Sequence, residues 1–533
     1  MTGMNTEATS VTTPQHSGRL AMLLAMAMFV LVVDTSLMNV SISAIVADLN
    51  TTVSSVQSAI ALEALVSAAF ILIGSKVGDL IGRKRAYVVG LLGYAAGAIA
   101  MTFTDRMIFV IIFWAIIGGL GAALLLPALQ SLIQGNFEGA AKKRAYALVG
   151  AATGIAAAIG PLLGGFITTY LSWRIGFLFE FIVIVIVLLN IKLVKDIPYT
   201  GSRQVDVIGA ILSVLGMGGI VLSILAWQEG GESVLVLMVV GAVAMSLFVV
   251  WLVRRKKQSK PTLIDPQLFS SQNFTAGISG QLLQNTALGG MMIVLPIYFQ
   301  MVFEYTAMQT GLAIAPFSLS IFVVSLLAGR AAGKRRPSRV IQAGFAILFV
   351  GIALLIPLIP RADSGLNFLI PLTITGAGLG LLVSQLNNYT LSPISEEHVS
   401  EAAGVNSATG SFGLSFGLAF AGAIMLATLS FTFTNMAQAS VVLTPVQQDQ
   451  VAQALEEDAQ IMSNTQLMAQ LAGQPADVQA EIIHINTEAR HIALQVALLV
   501  PLMAGLLGLI NSFRMVRLPD LEPSAAAEGL VLG

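Results

Sequence analysis

Three carboxylates stand where carboxylates are costly: Asp34, Glu63 and Glu180 each interrupt a run of otherwise apolar residues long enough to cross a bilayer. An ionised side chain at membrane depth costs about 3 kcal/mol or more, so such groups face protein or a water-lined cavity and mark proton or ion pathways. Burial favours the neutral acid over the carboxylate, and a second carboxylate nearby favours it further. Groups of this kind can hold a proton near neutral pH and release it when a cation arrives or when water reaches them. The chemistry to expect is reversible proton uptake. Bond-making chemistry has no matching constellation: no nucleophile–base pair is visible. His16, His398, His484 and His491 fall in polar segments or at a helix end, with no metal-site spacing, and there is no cysteine.

The depths of the three acids agree. Counted from the nearer certain end of each apolar run, Asp34 lies about 21 Å in from one side. Glu63 and Glu180 lie roughly 13 and 10 Å in from the other. In a hydrocarbon core about 30 Å thick, all three then come to one half of the membrane. Shared depth predicts one shared cavity. Arg174, six residues before Glu180, is a possible neutralising partner at its boundary.

The elements that must position these groups are membrane spans. Of 533 residues, 56% are hydrophobic and only 10% charged, with a mean hydropathy of +0.85. Soluble domains carry about 25% charged residues, so a water-soluble fold is excluded. A net charge of -1 leaves no basic field for nucleic acid. With about 20 apolar residues per crossing, fourteen spans are expected, the first over 20–46 and the last over 491–513. Placing both chain ends in the cytoplasm puts all but Arg106, Arg174, Arg361 and Arg490 of the 27 basic residues on the inner side, as the positive-inside rule requires. The polar residues 1–18 lack a signal-peptide pattern, so the first span is expected to be retained.

An internal repeat organises the spans. Gly78-Asp79-Leu80-Ile81-Gly82-Arg83-Lys84-Arg85 follows span two, and Gly329-Arg330-Ala331-Ala332-Gly333-Lys334-Arg335-Arg336 follows span ten. If spans seven and eight are an insertion, these become equivalent loops of two six-span halves, the parallel repeat of one transporter architecture. The expected organisation is a cytoplasmic tail over 1–19, a six-helix bundle over 20–195, two inserted transmembrane helices over 196–260, a second six-helix bundle over 261–513 and a cytoplasmic tail over 514–533. Within the second bundle, 433–490 is expected as an extracytoplasmic helical hairpin. Its helix starts fall at Thr444-Pro445 and at Pro475-Ala476-Asp477, with apolar Val451, Leu455, Ile461, Met462, Leu467 and Leu471 at helical spacing. It is either an ordered loop or a lid over an outward opening.

At these residues the chain resembles the major facilitator superfamily, in particular its fourteen-helix drug:proton antiporters of the QacA/EmrB type. The superfamily loop motif is matched by Ser75 through Arg85, with Ser75 where glycine is usual and Val77 where leucine is. The first-helix signature is matched by Val33-Asp34-Thr35-Ser36-Leu37-Met38-Asn39-Val40, with Ser43 in place of the usual proline. The antiporter motif is matched by Gly160-Pro161-Leu162-Leu163-Gly164-Gly165 with Ser172-Trp173-Arg174, and Leu295-Pro296 through Gln300, Gly311 and Pro316 are also family-like. In span four, Ala115 and Gly118 stand where the family motif has arginine and glutamine. A proton relay through that arginine cannot operate here.

The resemblance implies an all-α membrane protein of the major facilitator fold, with no cofactor beyond a proton gradient, expected as a monomer in a bacterial inner membrane. The roles expected are proton coupling and substrate binding for Asp34, Glu63 and Glu180, and cavity lining for Asn39, Trp114, Gln284, Asn285, Asn388 and Phe412. Conformational gating falls to Asp79, Gly82, Arg83, Arg85, Gly160, Pro161, Gly164 and Gly165. Asp79 is expected to cap a helix or to pair with a basic side chain between the halves. The cargo expected is a small hydrophobic, cationic drug moved outward by alternating access. A lipid or fatty-acyl exporter on the same fold and a non-transporting sensor or scaffold remain open. No glycine loop with lysine for binding phosphate is present, which argues against ATP as direct energy source.

Overall fold

The computed structural model describes residues 14–196, 206–228, 233–330, 335–395, 398–448 and 463–520, and among them there is no strand. The first bundle comprises α1 (Pro14–Val40) with its short continuation α2 (Ile42–Leu49), α3 (Val53–Ile81), α4 (Arg83–Phe103), α5 (Met107–Asn136), α6 (Gly139–Tyr170) and α7 (Trp173–Leu189). The inserted pair is α8 (Val207–Gln228) and α9 (Val234–Lys257). The second bundle comprises α10 (Gln272–Val302), α11 (Ala307–Arg330), α12 (Pro337–Leu355), α13 (Leu369–Leu391), α14 (Val399–Ala439), the outer helices α15 (Asn464–Gln470) and α16 (Ala476–Ala497), and α17 (Leu499–Arg517). Among the described residues thirteen helical stretches are long and apolar enough to cross a membrane, with α16 and α17 counted as one. α7, at 17 residues, reaches about 25 Å and completes the fourteen.

Within the first bundle α1 packs on α6 and α7, and α5 on α3 and α4; within the second, α10 packs on α14 and α17, and α13 on α11 and α12. The bundles meet along two seams, α6 with α11 and α3 with α14. One end of the molecule carries the loops after α3 and α9 and the chain end beyond α17. There Lys84 N–H donates to Asp196 (3.1 Å), and Arg336 pairs with Asp520 (2.5 Å). We call this the basic face.

Local chemistry explains where the helices stop. Thr52 caps α3 by accepting from Ser55 N–H (3.1 Å). Gly82 separates α3 from α4 with φ +101°, a conformation that side chains rarely adopt, and a Cβ there would press on Asp196. The inserted pair is fastened at the basic face by Asp206, which is 2% exposed. Its carboxylate accepts from Gly209 N–H (3.0 Å), Trp251 Nε1 (3.0 Å) and Leu263 N–H (3.3 Å), tying the start of α8, the end of α9 and the linker into the second bundle. At the other end of α8, Gln228 donates to Ala419 O (2.8 Å) in one bundle and accepts from Ser58 (3.4 Å) in the other.

The outer segment differs in extent from the expectation. α14 runs 41 residues, about 60 Å, so span thirteen continues as one rod to Ala439, beyond any bilayer. Thr444 and Gln447 then cap one another at a helix that begins at Pro445. Val451, Leu455, Ile461, Met462 and the acids Glu456, Glu457 and Asp458 lie outside the described residues, as does the 331–334 part of the second loop repeat. Ser463 and Gln466 form a capping box on α15, and α16 starts after Pro475 and continues through a bend at Leu498 into α17.

This segment docks through Arg490 and Glu304. Arg490, 2% exposed, donates to Met301 O (2.6 Å) and Asn464 Oδ1 (2.6 Å). Glu304, left-handed at φ 54°, accepts from the Thr465 N–H (3.0 Å) and hydroxyl (2.5 Å). Partial burial alone would raise the Glu304 carboxyl, but the hydrogen bonds from Thr465 and Ser463 and the charge of Arg490 hold it below the usual glutamate range. A carboxyl so depressed contributes docking stability that is fully present above the ordinary glutamate value and is lost as pH falls through its folded value. Hydrogen exchange at the Thr465 amide should therefore speed up on acidification below about pH 4, beyond the intrinsic trend, and Glu304→Gln should remove that extra dependence. Identical pH responses in the two proteins would refute the docking role.

Candidate functional site

Close glycine packing gathers the site. On α4, Gly90 lies against Gly121 of α5, and a Cβ on Gly121 would strike Gly90 O and Tyr94 N. The two backbones thus touch, which brings Tyr94 and Trp114 to one level. On α7, Gly176 receives the Leu37 side chain of the antiparallel α1. One turn further along α7 and one turn back along α1 bring Glu180 and Asp34 to the same depth.

Asp34 is the centre. It is 2% exposed, and the Tyr94 hydroxyl donates to its Oδ2 while Trp114 Nε1 donates to both oxygens (2.9 and 3.0 Å). Trp114 sits on a π-helical stretch of α5, Val110–Gly118, an irregularity found mostly at functional positions. Glu180 is 4% exposed and neither of its oxygens has a hydrogen-bond partner among the described residues. Glu63 on α3 is half-buried. The Tyr94 hydroxyl lies within electrostatic reach of all three carboxylates, and Asp34 within reach of both glutamates. The structure therefore brings the three acids together, but around Tyr94 and inside the first bundle.

Sequence reasoning missed Tyr94. Its signal was a lone large side chain with a polar tip among small residues, Gly90, Gly93, Ala95, Ala96 and Gly97. Trp114, expected as cavity lining, is instead a buried hydrogen-bond donor to Asp34. Arg174 does not neutralise Glu180. It pairs with Asp48, donates to Thr104 O (2.6 Å) and lies over the Trp173 ring at 4.5 Å.

Other expected groups lie apart from this cluster. Asn39 donates to Thr35 O (2.7 Å) on its own helix, and its buried Oδ1 has no partner among the described residues. Gln284 and Asn388 also hold an unpartnered buried oxygen, Asn285 donates back to Gln281 O (3.0 Å), and Phe412 stacks on Phe416 at 6.3 Å. Asp79 pairs with Arg83, four residues on across the Gly82 turn, and Arg83 also donates to Ser75 O (3.2 Å). The partner thus lies in the same half, because the φ of Gly82 folds the start of α4 back over the end of α3. Arg85 is exposed.

The seam glycines separate into two sets. Gly160 and Gly164 pack on Ser36, Leu37 and Val40 of α1, within the bundle. Gly165 packs on Ala307 O and Met308 of α11, and Gly311 returns the contact on Pro161 O, both across the seam between bundles. Near them Met308 N–H donates to Thr169 Oγ1 (2.9 Å) and Gln300 bonds the backbone of α1 and α2. The face opposite the basic loops is therefore closed. Toward the basic face a cleft opens between α3, α5 and α14, lined among others by Ser75, Gln130, Ser131, Gln134 and Ser407; none of the three carboxylates lines it.

Residues 24–418 match the sequence profile of the Major Facilitator Superfamily. The chain belongs to the major facilitator superfamily. Among its relatives, the multidrug resistance protein Stp of Mycobacterium tuberculosis is 28% identical over 81% of this chain and 80% of its own length. The multidrug export protein EmrB of Escherichia coli is 27% identical over 72% of this chain and 76% of its own, and a probable actinorhodin transporter of Streptomyces coelicolor is 26% identical over 74% and 70%. These efflux relatives agree with the drug:proton antiporter branch. The fold matches that of an inward-facing bacterial homologue of the lysosomal transporter Spinster at a TM-score of 0.62, with 11% identity, over 96% of this chain and 100% of the other. This major facilitator protein is a multi-pass integral membrane protein built as a transporter and not as an enzyme; in bacteria, the source of these relatives, that places it in the inner membrane.

Proposed function

We propose that this protein exports hydrophobic, drug-like compounds and draws the energy from protons moving inward. Export of drugs and antibiotics is supported by the efflux relatives. The observation that carries the proton part is the cluster of Asp34, Glu63 and Glu180 around Tyr94, with no basic side chain paired to any of them among the described residues. An unpartnered buried carboxylate such as Glu180 is far cheaper as the neutral acid. Asp34, by contrast, has two donors suited to its ionised form. Asp34 is therefore the acid of the cluster placed to release a proton and to take one up. When Asp34 takes it, the bonds from Tyr94 and Trp114 weaken. Asp34 shares α1 with Ser36 and Leu37, which press on Gly160 and Gly164 of α6. The protonation state is in this way linked to the helix that forms the seam.

The cargo we propose is hydrophobic and cationic, reaching the protein from the basic face, which the positive-inside rule assigns to the cytoplasm. Of the three acids Glu63 is the most exposed, which makes it the one we propose for contact with a cation. The supply of energy is ample: about 2.3 kcal/mol per charge for each 100 mV and about 1.36 kcal/mol for each pH unit. The protein is proposed to act as a monomer without a cofactor. The test is reconstitution in liposomes under an imposed pH gradient, comparing efflux of a dye cation with movement of a labelled lysolipid. Dye efflux should rise about tenfold with the gradient and collapse with an uncoupler, one tenfold step for each pH unit in the driving force. Uncoupler-insensitive dye movement would overturn proton coupling, and movement of lysolipid alone would favour a lipid exporter.

A further inference from the structure

A broken helix leaves backbone groups in need of partners. α1 ends at Val40 and α2 begins at Ile42, with Ser41 as the break. In an unbroken helix Ser43 N–H would donate to the carbonyl of residue 39, and Val40 O would accept from residue 44. Here one side chain from the other bundle supplies both needs: Gln300 Oε1 accepts from Ser43 N–H (2.8 Å), and Gln300 Nε2 donates to Val40 O (3.0 Å). A carboxamide offers a donor and an acceptor at that spacing on one side chain without carrying a titratable proton.

The surroundings aim this amide. Gln300 is 4% exposed and sits on a π-helical turn of α10, Tyr298–Val302, whose extra residue turns the side chain out of the normal helical register. The next carbonyl, Met301 O, is held by the buried Arg490. Position 43 completes the match. The related pattern carries proline there, which breaks a helix without leaving an N–H to satisfy. Serine leaves one, and Gln300 accepts it.

We propose that Gln300 is a gating residue that latches the second bundle onto the break between α1 and α2, and so sets how stably the face opposite the basic loops stays closed. Opening that face must strip a buried N–H and a buried C=O of their partner at once, until water reaches them or α1 and α2 join into one helix. The latch acts in alternating access whatever the cargo, and its test needs neither substrate nor gradient, so its failure is separate from failure of the proposed export.

The chain has no cysteine, so a single introduced pair reports cleanly. Thr169→Cys with Met308→Cys, adjacent across the same seam, should form a disulfide readily on mild oxidation, read as a gel-mobility shift. Gln300→Leu should slow that cross-linking about tenfold, the worth of two buried hydrogen bonds. In a Ser43→Pro background, where one of the two is already gone, Gln300→Leu should slow it only about threefold. Gln300→Met, unbranched and close in size, should behave as Gln300→Leu and replaces it if leucine impairs folding, monitored by size-exclusion chromatography. Cross-linking at the parent rate in both Gln300 variants overturns the proposal. So does an equal slowing with serine and with proline at position 43, since the effect would then be packing alone.

Discussion

Replacing Asp34 with asparagine is expected to abolish uphill efflux, a loss of about a hundredfold or more, while leaving downhill exchange of substrate largely intact. The size is unchanged, but asparagine neither binds nor releases a proton, and its amide turns an N–H toward one of the donors, Tyr94 or Trp114. Two buried donors would then compete for one acceptor, which costs about 1–3 kcal/mol of stability. The split between the two assays separates coupling from folding. A variant that merely misfolds loses both; a variant that loses coupling keeps counterflow of labelled substrate in the absence of a gradient. Tyr94→Phe should fall between, about tenfold down in uphill efflux, because Trp114 still holds Asp34. Full gradient-driven transport by Asp34→Asn would remove the basis for placing the proton on this cluster.

Gly311→Val has the second largest expected effect. A Cβ at Gly311 would strike Pro161 O and the neighbouring backbone of α6, and backbone cannot step aside as the end of a flexible side chain can. Overpacking of this kind costs about 1–3 kcal/mol, or roughly a tenfold to hundredfold shift against the closed seam. Transport should fall to a few per cent of the parent, and the Thr169→Cys/Met308→Cys disulfide should form correspondingly more slowly. Gly329→Val on the same helix is the control. Among the described residues a Cβ there meets nothing within 4 Å, so that variant should transport and cross-link like the parent. Equal behaviour of the two variants would show that α6 and α11 are not pressed together as the structure has them.

The two expectations were legible in the sequence to different degrees. The glycine-rich stretch at 160–165 announced close packing, yet nothing in its spacing divided Gly160 and Gly164, which serve α1, from Gly165, which serves the other bundle. That division depends on which side of α6 each helix approaches. Asp79 was recognisable as a loop acid with basic neighbours, but its pairing with Arg83 inside one half follows from the φ of Gly82. Spans were legible because a bilayer imposes a length and an apolar composition on every crossing helix. The rod-like extension of α14 to Ala439 was not, because nothing in its sequence distinguishes the lipid-covered turns from those that packing against α16 protects.

Sequence alone determined that this is an all-helical membrane protein with fourteen crossings and that three acids stand within its apolar spans. Each of these follows from the solvent: hydrocarbon tolerates only satisfied backbone and taxes every charge, so composition and spacing record them directly. Tertiary structure alone decided that the acids surround Tyr94 inside one bundle, that Trp114 donates to Asp34, and that Gln300 fills the break at Ser41. Those contacts join residues 60, 80 and more than 250 positions apart. They depend on how far glycines let helices approach and how π-helical turns rotate a side chain, which are properties of packed helices and not of any single span.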